Sequence, residues 1–297
     1  MKIINSISHM REQVLMWKKE RLSIAIVPTM GFFHDGHLSL MRMAGGKADR
    51  VVVSLFVNPA QFGSNEDLSR YPRDLARDAK MAEDMGVSCL FCPDVKDVYP
   101  PRFQTWIRVE DLSKGLCGVS RPEHFRGVAT IVAKLFIIVR PDMAIFGQKD
   151  FQQLQVIRRM VRDLNIPVKI IAHPIVRESD GLALSSRNTY LNLEERESAL
   201  SLSQALRIAE KMVACGNSSV PEIIEAVKKH IQSFSNTKID YVFLGHPESL
   251  RTCREITGER LLALAVWVGK TRLIDNTLLK QQANKAHHVD KSKGSEK

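Results

Sequence analysis

Residues 27–40 read VPTMGFFHDGHLSL: two histidines, His34 and His37, lie three positions apart with Gly36 between them and an apolar run in front. Four chemistries are open to such a pair: a metal site, a catalytic dyad, a phosphate cradle, or a polar turn whose imidazoles only cap a helix. Zinc needs a four-ligand set, but no second Cys/His/Asp cluster completes one, and His34 falls before the first helical turn. The phosphate cradle suits the stretch better. A strand, a turn holding Gly31 and Gly36, and then a helix bring free backbone N–H groups and the positive dipole end to one place. Gly36 lets a ligand approach closely, and two imidazoles there can donate to a phosphate that gains charge. The glycine-rich pattern of P-loop nucleotide hydrolases is absent.

The elements that must position this turn read as an alternation. LSIAIVP (22–28) is a buried strand, and DGHLSLMRMAGG carries helical spacing stopped by Gly45 and Gly46. VVVSLFV (51–57) is a β-branched run of the kind parallel sheets bury on both faces. A polar helix over roughly 66–85, the strand VSCLFCP, the helix VATIVAKLFIIV, the strand MAIFG (143–147), the helix DFQQLQVIRRMVRDL and the strand VKIIAHPIV (168–176) follow. Five strands alternating with helices define an α/β, doubly wound parallel sheet, whose ligand belongs beyond the strands' carboxyl ends. Pro28–Met30, Asn58–Gln61, Gly147–Asp150 and the segment after Val176 all fall there.

Beyond Val176 the rhythm changes. A loop, RESDGLALSSRNTYLN, precedes two helices with capping-box spacing, Asn192 with Glu195 and Ser219 with Glu222. KIDYVFLG, RLLALAVWVG and TRLID then suggest a small antiparallel sheet. The expected organisation is a Rossmann-like domain over 1–176, a smaller α+β domain over 177–279, and a disordered basic tail over 280–297.

Composition narrows the class. With 297 residues, 44% apolar and 26% charged, the chain can bury a sizeable core. No apolar run approaches the ~20 residues of a membrane span, and the amino terminus lacks a signal peptide's apolar stretch, so a cytoplasmic protein is expected. The CxxC spacing of Cys89 and Cys92 has no second pair and reads as core packing. The net charge is +10, of which the tail supplies +3. The rest is dispersed without aromatic interleaving, so anionic small molecules explain it as well as RNA does.

The His-x-Gly-His turn resembles the signature of the nucleotidyltransferase superfamily that includes class I aminoacyl-tRNA synthetases, with LALSSRN (182–188) in place of that group's mobile phosphate loop. Taken with SLFVNPAQF, YPRD, RPEHFRGVATIVAKLF, VRPDMAIFGQKDFQQLQVIRRMVRDL, DGLALSSRNTYL and TRLIDN, in order over about residues 3–278, the chain resembles the pantoate–β-alanine ligase family.

That resemblance implies an ATP- and Mg²⁺-dependent condensation of (R)-pantoate with β-alanine to pantothenate, a coenzyme A precursor, through a pantoyl adenylate, with release of pyrophosphate and AMP. It implies a homodimer, and no nucleic-acid or membrane partner. His37, His34 and Lys149 become the catalytic candidates. Met30, Gly31, His34, Gly36, His37, Gly147, Gln148, Lys149, Asp150, Val176, Leu184, Ser185, Ser186 and Arg187 become the ATP-binding ones. Gln61, Gln153 and Arg121 would hold pantoate and β-alanine; the metal ligands stay unassigned. The chain departs from the family pattern at Phe33, Ala60, Glu123 and Gln148, the last removing a usual negative charge beside Lys149. Two alternatives compete: another adenylyl- or nucleotidyltransferase of the same fold with a different acyl acceptor, and an RNA-binding protein using the basic surface.

Overall fold

The computed structural model describes residues 1–63 and 68–281. Six parallel strands form the main sheet: β1 (Lys2–Ile4), β2 (Ile24–Thr29), β3 (Arg50–Leu55), β4 (Cys89–Phe91), β5 (Met143–Gly147) and β6 (Lys169–His173), in the order β1-β4-β3-β2-β5-β6. Alternation along β2 places Ile24 and Ile26 in one core layer and Ala25 and Val27 in the other, because successive side chains point to opposite faces. The first layer is completed by α1 (Ile7–Lys19), α6 (His124–Val139) and α7 (Phe151–Asp163), the second by α2 (Asp35–Gly45) and α3 (Leu75–Asp84). Two short helices, α4 (Val95–Val98) and α5 (Cys117–Ser120), lie in the connection between β4 and α6.

Strand β2 pairs with β3 on one side and β5 on the other. The chain passes from β2 through α2 to β3, then returns to β5 across β2. The crevice between the carboxyl ends of β2 and β5 is therefore the topological switch point, where open α/β sheets bind ligands.

The smaller C-terminal domain packs α8 (Leu193–Ala214) and α9 (Val220–Gln232) on an antiparallel sheet of β7 (Thr237–Gly245), β8 (Arg260–Val268) and β9 (Thr271–Leu279). Phe151 of α7 joins Phe243, Leu261 and Ala263 in a small cluster bridging the two. Asn276 of β9 donates its Nδ2 to the carbonyls of Gln148 (3.1 Å) and Lys149 (2.9 Å). Asp275, buried, accepts both terminal nitrogens of Arg177, at 2.6 and 2.9 Å.

Several sequence expectations change. The helix expected over 66–85 begins only at Leu75, capped by Asp74, whose side chain accepts Arg77 N–H at 3.0 Å; Pro72 blocks an earlier start by forcing its predecessor out of helical geometry. Residues 64–67 and 282–297, and with them nearly all of the expected tail, lie outside the described residues. Strand β6 stops at His173 because Pro174 offers no N–H to a ladder. The capping box at Asn192 forms, with Glu195 N–H to Asn192 at 2.8 Å and the return bond at 3.0 Å. The one at Ser219 does not, since Glu222 is engaged by Asn217 at 2.9 Å instead. Cys89 is buried with its Sγ 3.8 Å from Met10 Sδ, and burial pushes its thiol up to about 12, as suits a core residue.

Gly127 in α6 has a packing role. A Cβ there would collide with the Ala60 carbonyl, which lies in the 3₁₀ turn Pro59–Gln61. Gly127→Ala should therefore cost about 1–3 kcal/mol, the usual penalty of overpacking, read from urea unfolding. A variant as stable as the parent would show that the turn yields freely.

Candidate active site

The turn after β2 is strained and clamped. Gly31 and Phe32 both adopt positive φ, 86° and 52°, a conformation that costs a non-glycine residue about 1–3 kcal/mol. The buried carboxylate of Asp78, from α3, accepts the N–H groups of Phe32 at 2.6 Å and Phe33 at 2.8 Å. Arg77 adds a bond to the Phe33 carbonyl at 2.9 Å and lies 5.0 Å from the centre of the Phe32 ring. Burial raises Asp78's proton affinity, with the two amide bonds acting against it.

From this clamp the chain enters α2 with His34 as its N-cap. His34 Nδ1 accepts Gly36 N–H at 3.1 Å, and His37 Nδ1 accepts His34 N–H at 3.3 Å. The two rings lie 4.1 Å apart. Gly36 is required here, since a Cβ would come within 2.8 Å of His34 Cε1. Each Nδ1 accepts, so each neutral ring carries its proton on Nε2, where it can donate to a ligand. Burial holds both rings neutral. His34 is lowered to about 4, with the charge of Lys149 next in importance. His37 is lowered to about 3, with His34 and then Lys149 adding to burial.

These rings face a cavity of about 240 Å³ at the switch point. Its wall brings together Met30, His34, Gly36 and His37 from the first turn, Gln61 from the turn after β3, and Gly147, Lys149, Asp150 and Gln153 from the β5–α7 junction. Val176, Leu184, Ser185, Ser186 and Arg187 close it from the segment after β6. Leu184 N–H bonds to the Val176 carbonyl at 3.0 Å, and Ser185 Oγ accepts Arg187 N–H at 3.3 Å. Of the expected nucleotide residues, Gly31 and Gln148 are not on this wall: Gly31 packs against Asp78 and Leu55, and Gln148 N–H bonds to the His173 carbonyl at 2.8 Å. Arg121 lines an adjoining cavity of about 990 Å³, which shares Lys149, Asp150, Gln153, Ser185 and Arg187 with the smaller one. Its Nη2 donates to the Gln61 carbonyl at 3.1 Å, beside His124 Nδ1 at 2.9 Å.

Sequence reasoning missed the residues that hold the others. Asn58 donates Nδ2 to Gln61 Oε1 at 3.0 Å and to the Gly127 carbonyl at 3.1 Å. With Oε1 turned to Asn58, the amide of Gln61, which lines the cavity, has its Nε2 hydrogens left to donate. Asp78, His124 and Asn276 act on partners far away in sequence, so no local pattern could reveal them. Only Asn58 stood in a segment already placed at a strand end.

A parallel sheet with neutral donors and a lysine at its switch point is the architecture of the nucleotide-binding α/β enzymes. Within that class, a family model described as pantoate-beta-alanine ligase matches residues 2–278. The chain is 52% identical over 279 residues to the pantothenate synthetase of Moorella thermoacetica, covering 94% of this chain and 99% of that one. It is 53% identical to that of Thermotoga petrophila, covering 94% and 100%. Among solved structures, pantothenate synthetase from Thermus thermophilus superposes with a TM-score of 0.89 at 42% identity, covering 93% and 99%. The Francisella tularensis pantoate-beta-alanine ligase, solved with beta-gamma ATP and beta-alanine, gives 0.77 at 33% identity, covering 95% and 99%. The chain belongs to the pantoate–β-alanine ligase family.

The ring geometry has a direct spectroscopic consequence. Nitrogen-15 NMR between pH 7.5 and 5 should show both His34 and His37 as neutral Nε2–H tautomers; an imidazolium at either position at pH 6 would contradict the arrangement. An unfolded histidine takes its proton near pH 6.5 and these two only near 4 and 3. Acid therefore favours the unfolded chain, and stability should fall as the pH drops below about 6.5.

Proposed function

We propose that this chain condenses pantoate with β-alanine using ATP, yielding pantothenate, AMP and pyrophosphate through a pantoyl adenylate. The observation that carries the reading is the pairing, in one cavity, of phosphate-suited donors (His34, His37, Lys149) with two neutral amides, Gln61 and Gln153. Family membership and the relative solved with an ATP analogue and β-alanine support it.

In the first step a carboxylate oxygen of pantoate attacks the α-phosphorus, the bond to the bridging oxygen breaks, and pyrophosphate leaves. Charge grows on the phosphoryl oxygens. The Nε2–H donors of His34 and His37 and the ammonium of Lys149 meet it without reorganising, which is where preorganised donors act most strongly. Rings that stay neutral beside Lys149 add no like charge to the site and keep one fixed donor each. The amides of Gln61 and Gln153 hold the hydroxy acid by hydrogen bonds while leaving its carboxylate nucleophilic. In the second step the β-alanine amine attacks the acyl carbon, the bond to AMP breaks, and the nitrogen loses a proton.

Among the described residues no group of three His, Cys, Asp or Glu side chains could hold a metal ion, and Asp150 is the one carboxylate on the smaller cavity's wall. That donor set fits Mg²⁺ carried by the triphosphate and water, with at most one protein carboxylate. Bound there, the ion would neutralise phosphate charge.

The reading divides the chain near residue 176, the 1–176 domain binding ATP and pantoate and the 177–279 domain supplying Leu184–Arg187 against the nucleotide, with Arg121 beside the amine. It also carries a homodimer and a cytoplasmic location. No helix among the described residues is long and apolar enough to cross a membrane.

Incubation with ATP, pantoate and β-alanine should give AMP, pyrophosphate and the amide product. Pyrophosphate should form with ATP and pantoate alone, and omission of pantoate should abolish it. Pyrophosphate appearing with another acid but not with pantoate would move the chain to a different acyl substrate. His37→Ala should lower the adenylation rate roughly 10²–10³-fold, as for a lost charge-stabilising donor; single-turnover quench reads it, and a near-normal rate would remove His37 from the chemistry.

A further inference from the structure

The direction in which Gln61 points its amide is set by a chain of hydrogen bonds that starts outside the cavity. Tyr99 follows α4, and its hydroxyl lies 2.9 Å from Asn58 Oδ1. Asn58 Oδ1 also accepts Ala60 N–H at 3.3 Å. Its Nδ2 therefore faces Gln61 Oε1 and the Gly127 carbonyl. Every link runs one way: hydroxyl to carbonyl oxygen, amide nitrogen to carbonyl oxygen. The far end of the series is Gln61 Nε2, a donor.

We propose that Tyr99 is a positioning residue for the acid substrate, acting through Asn58 to hold Gln61 as a hydrogen-bond donor toward that substrate's oxygens. The proposal rests on the assignment of Gln61 to pantoate made above. An amide can turn over, exchanging oxygen for nitrogen, at little steric cost. Were Asn58 to turn, its oxygen would meet Gln61 Oε1, and Gln61 would turn in response, aiming an acceptor at a carboxylate. Ala60 N–H, which can only donate, and the Gly127 carbonyl, which can only accept, oppose that reversal. The Tyr99 hydroxyl, donating to Asn58 Oδ1, adds a third bond that a turned amide would lose. Burial supports the assignment by pushing the phenol up to about 12, so the proton is held throughout the neutral range. The ring is fixed separately. It stacks on Trp106 at 5.8 Å, meets Phe103 edge-on at 5.1 Å, and lies 6.4 Å from Phe56. These contacts survive removal of the hydroxyl, so Tyr99→Phe isolates the hydrogen bond from the packing.

The test is a double-mutant cycle on the full chain: parent, Tyr99→Phe, Asn58→Ala and the double variant, with KM for pantoate and for ATP measured in each. Tyr99→Phe should raise KM for pantoate roughly threefold to tenfold, the worth of one hydrogen bond, leaving KM for ATP within about twofold of the parent. In the Asn58→Ala background the same change should have no further effect. Asn58→Asp keeps the acceptor for Tyr99 but turns an acceptor toward Gln61, and should raise KM for pantoate more than Asn58→Ala does. An unchanged KM for pantoate in Tyr99→Phe, a parallel rise for ATP, or an undiminished effect in the Asn58→Ala background would each overturn the role of Tyr99. A parent chain that makes no product from pantoate would overturn the function on which it rests.

Discussion

The site depends on one carboxylate. Asp78 reaches across from α3 to bind the backbone amides of Phe32 and Phe33, and these two bonds are the main hold on the turn in which Phe32 takes its positive φ. That turn decides where α2 begins, and its first turn contains the reciprocal His34–His37 cap. The cap in turn fixes both imidazoles as Nε2 donors. A neighbouring helix thus determines the protonation pattern of a turn more than 40 positions earlier in the chain, through two hydrogen bonds and a strained backbone. Charge-assisted bonds of this kind are about twice as strong as neutral ones, which is what a persistent strained turn needs.

Several other groups around the cavity are oriented in the same manner, by a partner behind them. Gln61 is held at its side chain by Asn58 and at its carbonyl by Arg121 and His124. The backbone of Gln148 and Lys149 is held by Asn276 of the smaller domain. Arg177, at the root of the Leu184–Arg187 segment, is fixed by the buried Asp275 and bonds to the Gly181 carbonyl at 3.0 Å. The neighbouring residues of β9 therefore act on both sides of the cavity, Asn276 on the β5–α7 junction and Asp275 on the root of the Leu184–Arg187 segment. The C-terminal sheet and the main sheet meet beside this cavity, so their relative placement and the cavity's geometry are one structural problem.

Much of this was legible because the relevant signals are local. The strand MAIFG coincides with β5; continuous apolar runs marked the parallel strands; and the four strand-end loops named from sequence meet at one cavity. Other elements left weaker traces. Met10, Val14 and Trp17 are buried at helical spacing in α1, but charged and polar residues interrupt the pattern, and β1 is only three residues long at the sheet edge. The Ser219 box had the right spacing and failed because Asn217 competes for Glu222, a choice no spacing rule contains. Asp78 and Tyr99 were illegible for a plainer reason. Each acts on a turn more than 40 positions away, and only the folded sheet brings them there.

The central claim is that the acid is activated on the α-phosphate of the nucleotide, between the two neutral imidazoles and Lys149. The most direct measurement supplies pantoate labelled with ¹⁸O in its carboxylate, together with ATP and β-alanine, and follows the label by mass spectrometry. Attack at the α-phosphorus followed by aminolysis leaves one carboxylate oxygen on the phosphate of AMP, so AMP carrying a single ¹⁸O is the result this account requires. Unlabelled AMP, with the ¹⁸O found instead in inorganic phosphate or pyrophosphate, would contradict it.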